Sequence, residues 1–159
     1  MATKKKRSRR AVKHAAADPQ NLSVGTNPVL KGGMPKALGI RVTSLSPKKV
    51  TAEMPITPMH LNANGRVNGG AIMSFADALG ALGATANRPP GYRGGTIESK
   101  TNFFASGRGP VLSAVCIPLH VGRTTSVWQT TIYNADGSSV ALVTQTQIAV
   151  PARQAAEEP

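Results

Sequence analysis

A lone cysteine, Cys116, rules out an internal disulfide and fits a reducing compartment. No apolar run approaches the roughly 20 residues of a membrane-spanning helix, and no secretory apolar segment follows the charged start. The chain is therefore expected to be soluble and cytoplasmic. Rings are few, with three Phe, two Tyr and one Trp, so the segments that would form a pocket do not decide between an aryl and an aliphatic ligand. Several catalytic signatures are missing: there is no G-x-S-x-G elbow, no phosphate-binding G-x-x-x-x-G-K-[ST] loop and no dinucleotide-binding glycine fingerprint. His14 and His120 have no second ligand at metal-site spacing, so no zinc site is expected. Cys116, in the middle of an apolar run, reads as core rather than nucleophile.

Acidic residues are also scarce, seven against nineteen Lys and Arg, for a net charge of +12. The excess is uneven, because Lys4, Lys5, Lys6, Arg7, Arg9, Arg10 and Lys13 all precede the first acid, Asp18. With few apolar residues among them, residues 1–34 are expected to form a disordered basic arm and linker, the latter holding at most one short helical turn. Contact between residues 4–13 and nucleic acid is open to this arm but would weaken steeply with salt. At 159 residues the rest makes one domain, placed at 35–151, with 152–159 a flexible C-terminus.

Within that domain, Leu38, Ile40 and Val42 alternate with polar or small neighbours. After a turn at Ser46 and Pro47, Val50, Ala52, Met54 and Ile56 do the same, a β-hairpin pattern. Four further strand-like runs cover 96–104, 110–120, 124–133 and 138–150, the last two joined by the hairpin signal Asn134-Ala135-Asp136-Gly137. Between the two groups lies one long apolar stretch. The order is α+β, and a single antiparallel sheet wrapped round one long helix is the simplest way to cover it.

That stretch begins polar and glycine-rich, NANGRVNGG, and continues AIMSFADALGALGATAN. Asn68 is an N-cap, and Gly69 and Gly70 leave the first helical N–H groups bare of bulky side chains, an end that attracts negative charge. Ile72, Phe75, Ala76, Leu79 and Leu82 cover more than one face, which predicts a helix buried nearly all round. Arg88, Pro89, Pro90 and Gly91 stop it. Into it the chain puts one carboxylate, Asp77. Burying it without partners would cost on the order of several kcal/mol, so partners, a shifted protonation or a task are required.

Cleaving an ester or thioester needs donors for the developing oxyanion and a base or nucleophile at the carbonyl carbon. Gly69 and Gly70 offer the first and Asp77 the second. Eight residues at 1.5 Å rise separate Gly69 from Asp77 by about 12 Å, whereas the two functions must meet within roughly 3 to 4 Å. If both act on one substrate, the acid comes from a second subunit across a two-fold axis.

The pattern N-x-x-G-x-x-N-G-G at Asn62 to Gly70, with Asp77 on the helix, resembles the signature of hotdog-fold acyl-CoA thioesterases, and more narrowly the phenylacetate-pathway (PaaI-like) subfamily. The likeness runs from about Leu38 to Val150. It implies a hotdog fold, a homodimer or homotetramer with sites between subunits, and no cofactor beyond the CoA moiety of the substrate. Asn62 would help bind the thioester carbonyl, the Gly69 N–H the oxyanion, Asp77 would activate water or attack directly, and Thr96 would orient the water. Asn68 stands where relatives have a histidine that orients its neighbours, and an amide cannot take up a proton near neutral pH. Arg123 falls where relatives place a basic residue near the pantetheine or nucleotide; Arg93, Lys100 and Arg108 are further candidates for a basic rim. An Arg-Pro pair usual after the third strand is replaced by Phe104-Ala105-Ser106-Gly107.

Plainer roles exist for each. Asp77 can be a satisfied polar group bonded to Ser74 or Thr85, Asn62 can close an Asx-turn, the glycines can serve packing, Thr96 can be an ordinary strand residue, and His60 can merely shape the loop. The reading favoured is hydrolysis of an aryl- or medium-chain acyl-CoA. Its rivals are a non-catalytic hotdog protein that binds acyl-CoA, favoured by Asn68, and a nucleic-acid-associated protein that works through the basic arm.

Overall fold

A computed structural model describes residues 28–152. The basic arm, His14 and the C-terminal tail lie outside them. Among the described residues no helix is long and apolar enough to cross a membrane.

Two short helices come first, α1 (Pro28–Lys31) and α2 (Gly33–Ala37), and Leu30 packs against the core. The first hairpin forms, with a shorter first strand than the alternation predicts: β1 (Arg41–Ser46) runs antiparallel to β2 (Lys49–Pro55), Leu38 caps α2, Ile40 precedes β1, and the register shifts between Val42 and Ser44. Val50, Ala52 and Met54 are the buried side chains of β2, because inward positions recur every second residue. A 3₁₀ turn at Pro58–His60 leads through the polar loop into α3, Gly69–Ala86. Four long strands follow: β3 (Tyr92–Phe103), β4 (Val111–Val121), β5 (Thr125–Asn134) and β6 (Ser139–Pro151). The β5–β6 turn closes with a hydrogen bond from Gly137 N–H to the Asn134 carbonyl and a positive φ of 81° at Gly137, the geometry that glycine allows.

All six strands form one antiparallel sheet in the order β1-β2-β4-β5-β6-β3. The sheet curves round α3, the hotdog arrangement that the motif implies. Phe75, Leu79, Leu82, Trp128 and Ile132 are fully buried between helix and sheet, each burial contributing about 1.5–3 kcal/mol. Gly83 lets Trp128 lie against the helix: a Cβ there would sit 2.5 Å from the indole ring.

Two expectations need correction. β3 starts at Tyr92, four residues before the expected Thr96, because pairing with β6 continues back to Pro151. And α3 is not buried all round. Met73 and Asp77 are exposed, and Ser74, Ala81 and Ala84 are only half-buried. The sheet of one chain covers the other faces of the helix and leaves this stripe open.

Candidate functional site

The open stripe of α3 faces β3, and there the carboxylate finds its partners. Asp77 Oδ1 accepts hydrogen bonds from the Thr96 hydroxyl and from Gln145 Nε2, each at 2.8 Å, and Gln147 Nε2 donates to Thr96 Oγ1, also at 2.8 Å. Both glutamines are buried, at 0% and 2% exposure, so their amides are fixed by packing. Asp77 itself is exposed rather than buried, and its partners are not the expected Ser74 or Thr85. Two donors on Oδ1 leave Oδ2 directed to no group among the described residues. Thr96 spends its only proton on Asp77 and one lone pair on Gln147, which leaves one lone pair to accept from a water.

A bulge between Thr96 and Glu98 shifts the register of β3 and turns Ser99 toward the helix. With Met34, Pro35, Met73, Ser74, Asp77 and Ala81, Ser99 lines an open cleft of about 400 Å³.

The motif loop forms a second cluster. Asn62 Oδ1 accepts from the N–H groups of Asn64 (2.9 Å) and Arg66 (3.1 Å), the Asx-turn allowed for above. That anchoring fixes the amide and leaves Nδ2 outward as a donor. Asn68 caps α3: its Oδ1 takes the Gly70 N–H at 2.7 Å. So only one of the two glycine amides is free. The Gly69 N–H, at the first helical position, finds no acceptor among the described residues. A Cβ on Gly69 would sit 3.2 Å from the Phe103 ring, which lies over the helix start. His60 shapes the loop, as its Nδ1 accepts from Thr57 N–H and its carbonyl from Asn68 N–H.

Asp77 and Thr96 are thus together, and Asn62, Asn68 and Gly69 are together, but the two sets lie on different turns of one helix. The arginines separate as well. Arg108 is held by Asp136 at 3.0 Å. Arg93, adjacent in β3 to the inward Gly94, points to the opposite sheet face, and Lys100 likewise alternates with Ser99. Arg123 lines a smaller cavity of about 170 Å³ at the far end of α3. Cys116 is fully buried on β4, and burial pushes its thiol up to about 12, so it stays protonated and inert. No group of three metal-ligating side chains occurs among the described residues.

Gln145 and Gln147 escaped the sequence reading. Their signal is the run Val143, Gln145, Gln147 at inward positions of β6, where polar residues interrupt an apolar alternation.

A sheet wrapped round one long helix, with a hydrogen-bonded carboxylate on that helix and a capped glycine pair at its start, is a hotdog arrangement. Comparison with known proteins agrees. The family model for the thioesterase superfamily matches residues 64–141. The proofreading thioesterase EntH of Cronobacter sakazakii is 34% identical over 107 residues, 67% of this chain and 77% of that protein. A hypothetical thioesterase protein from Streptococcus pneumoniae, solved with coenzyme A, superposes with a TM-score of 0.65 at 25% identity, covering 72% of this chain and 88% of that one. The Escherichia coli PaaI protein from the phenylacetic acid degradation operon gives 0.69 at 24% identity, over 76% and 86%; at that identity the likeness is one of fold. The chain belongs to the thioesterase superfamily and is a thioester hydrolase.

Proposed function

We propose that this chain hydrolyses aryl- or medium-chain acyl-CoA thioesters in a site built between two copies of itself. The observation that carries this is the division of the machinery: a free Gly69 N–H and an anchored Asn62 amide at one end of α3, and Asp77 with an unbonded Oδ2 two turns away. One chain cannot bring them to one carbonyl, since the axial rise between Gly69 and Asp77 is about 12 Å.

The edge of the sheet supports a second copy. Among the described residues β3 has β6 on one side and no strand on the other. Along this free edge or beside it Ile97, Phe103 and Phe104 are 58%, 51% and 59% exposed, an arrangement that a lone chain would normally blunt. Pairing of two β3 strands about a two-fold axis would cover these side chains and close the open face of α3. A tetramer, by likeness to the family, is a pair of such dimers.

In this site the thioester oxygen lies against Gly69 N–H and Asn62 Nδ2, while the partner subunit's Asp77 presents Oδ2. Water attacks the carbonyl carbon as Oδ2 takes its proton, and the Thr96 lone pair accepts from the same water. The C–O bond forms, the oxyanion is held by the two donors, and the C–S bond then breaks, the thiolate taking the proton back from Asp77. Direct attack by Oδ2 is the other route open to the same geometry. Asn68 contributes the helix cap in place of a titrating histidine. Exposure without a carboxylate partner among the described residues supports Arg123 and Arg93 as phosphate contacts on the CoA rim; Arg108 is already held by Asp136. The hydrolytic unit is 35–151, cytoplasmic, and α2 crosses its N-terminal boundary, with Met34 and Pro35 lining the cleft.

The test is a panel of aryl- and aliphatic acyl-CoAs offered to wild type and Asp77→Ala. Turnover of at least one member, lost by about 10²- to 10⁴-fold in the variant, is expected. Tight acyl-CoA binding without turnover of any member would favour the non-catalytic reading.

A further inference from the structure

The free edge of β3 carries Glu98, Ser99 and Lys100 near its middle. All three are exposed, and neither the acid nor the base has an ion-pair partner among the described residues. Ser99 points inward to the Asp77 cleft that it lines, so Glu98 and Lys100 stand on either side of it on the outer face.

The register in which a second β3 can pair here follows from where the two halves of the site sit along the strand. Thr96 marks the acid, through its bond to Asp77. Phe103 marks the oxyanion donor, through its ring against Gly69. For one chain's acid to meet the other's donor, Thr96 must come opposite the partner's 101–103 stretch. Passing over the bulged residue Ile97, that puts the two-fold axis at Ser99 or at Lys100. Antiparallel pairs alternate between hydrogen-bonded and non-hydrogen-bonded kinds, so the axis must pass where a residue faces its own copy. With the axis at Lys100, two ammonium groups would be directly opposed, which destabilises. With the axis at Ser99, two small hydroxyl side chains meet, Glu98 faces the partner's Lys100, and Lys100 faces the partner's Glu98. Thr96 then lies opposite the partner's Thr101, two residues or about 7 Å along the strand from the partner's Phe103.

We propose that Glu98, Ser99 and Lys100 are the register lock of the active dimer, a self-complementary stretch that pairs with its own copy about Ser99 through two symmetric Glu98–Lys100 contacts. This rests on the two-subunit site proposed above and names the surface that aligns it. Moving the axis by one residue in either direction sets like charges against each other, and carries the acid away from or past the partner's oxyanion donor.

The experiment measures dimer dissociation of the full chain by sedimentation at low ionic strength, in wild type, Glu98→Lys, Lys100→Glu and the double reversal. Each single reversal sets two pairs of like charges in the interface and should weaken the dimer by about tenfold. One raises the net positive charge and the other lowers it, so weakening by both is not an effect of net charge. Mixed in equal amounts, the two single variants complement each other, and dimers with one chain of each kind should well exceed the statistical half. The double reversal should dimerise as wild type does, and added salt should shrink all these differences. Ser99→Cys sets two thiols face to face within the span of a disulfide and should cross-link the dimer under mild oxidation, whereas Lys100→Cys, displaced along the strand from its own copy, should not. Cys116 is fully buried and does not compete. A wild type that stays monomeric, single reversals that dimerise as wild type does, a mixture at the statistical half, a double reversal that stays weakened, or cross-linking by Lys100→Cys and not by Ser99→Cys each overturns the proposal. Sedimentation and cross-linking need no substrate. Should wild type cleave no acyl-CoA, the hydrolytic reading fails by itself and the register is still decided.

Discussion

Asp77 is held by one oxygen only. Gln145 Nε2 and Thr96 Oγ1 both donate to Oδ1, so the carboxylate plane is fixed while Oδ2 is left unbonded among the described residues. On the hydrolytic proposal Gln145 is a positioning residue, and Gln145→Met, similar in length and apolar, should lower kcat about tenfold with KM little changed. The same substitution made on Asp77→Ala should cost nothing further, since there is no carboxylate left to orient. Equal stability losses in both backgrounds with kcat intact would reduce Gln145 to a buried structural amide. Gly80 offers a second route to the same lever. A Cβ there would press on Gln145 Oε1, so Gly80→Ala should displace the amide and lower kcat, with a loss of thermal stability beside it because the amide is fully buried. Asp77 and Thr96 were legible in the sequence because a motif and an acid on an apolar helix mark them. The exposure of Asp77 was not, since helical periodicity reports which faces are apolar and not whether one chain has enough sheet to cover them all.

At the scale of elements, the helix and both hairpins followed from alternation, caps and turn residues. The strand order did not. β3 leaves α3 and crosses to the far edge beside β6, a pairing between residues such as Thr96 and Gln147, and no local pattern reports such a separation. Gly83 shows how packing overrides propensity. Alanine would gain about 1 kcal/mol as a helix former, but its Cβ would press on Trp128 at 2.5 Å, and overpacking of this kind costs roughly 1–3 kcal/mol. Gly83→Ala should therefore be less stable in urea unfolding; a gain would mean that the indole moves freely. The β5–β6 turn carries a pH dependence. The Ser138 hydroxyl and amide, with Arg108, hold the Asp136 carboxyl down at about 2, below its ordinary 3.8. A depressed carboxylate stabilises the fold above its ordinary pKa, and the contribution fades as pH falls through the folded value. Protection of the Gly137 and Ser138 amides, corrected for intrinsic exchange, should decline between about pH 4 and pH 2, and Asp136→Asn should flatten that response.

For the whole molecule the decisive question is whether oxyanion donor and acid belong to different chains. Two variants, each defective on one side of the site, answer it. Asp77→Ala removes the acid. Gly69→Pro removes the N–H yet suits the first helical position, where proline is favoured. The preceding Asn68 already has φ −62° and ψ 138°, the extended conformation that a following proline requires, and the half-exposed Phe103 ring must give by only a few tenths of an ångström. Each variant alone should be nearly inactive. Unfolded together and refolded at equal concentration, about half of the dimers should be mixed, and in each of these one site joins an intact Gly69 to an intact Asp77 across the two-fold axis. Close to a quarter of wild-type activity should return, on a time course that follows subunit exchange. If each site were complete within one chain, no pairing of the two variants could restore one, and the mixture would stay as inactive as its parts.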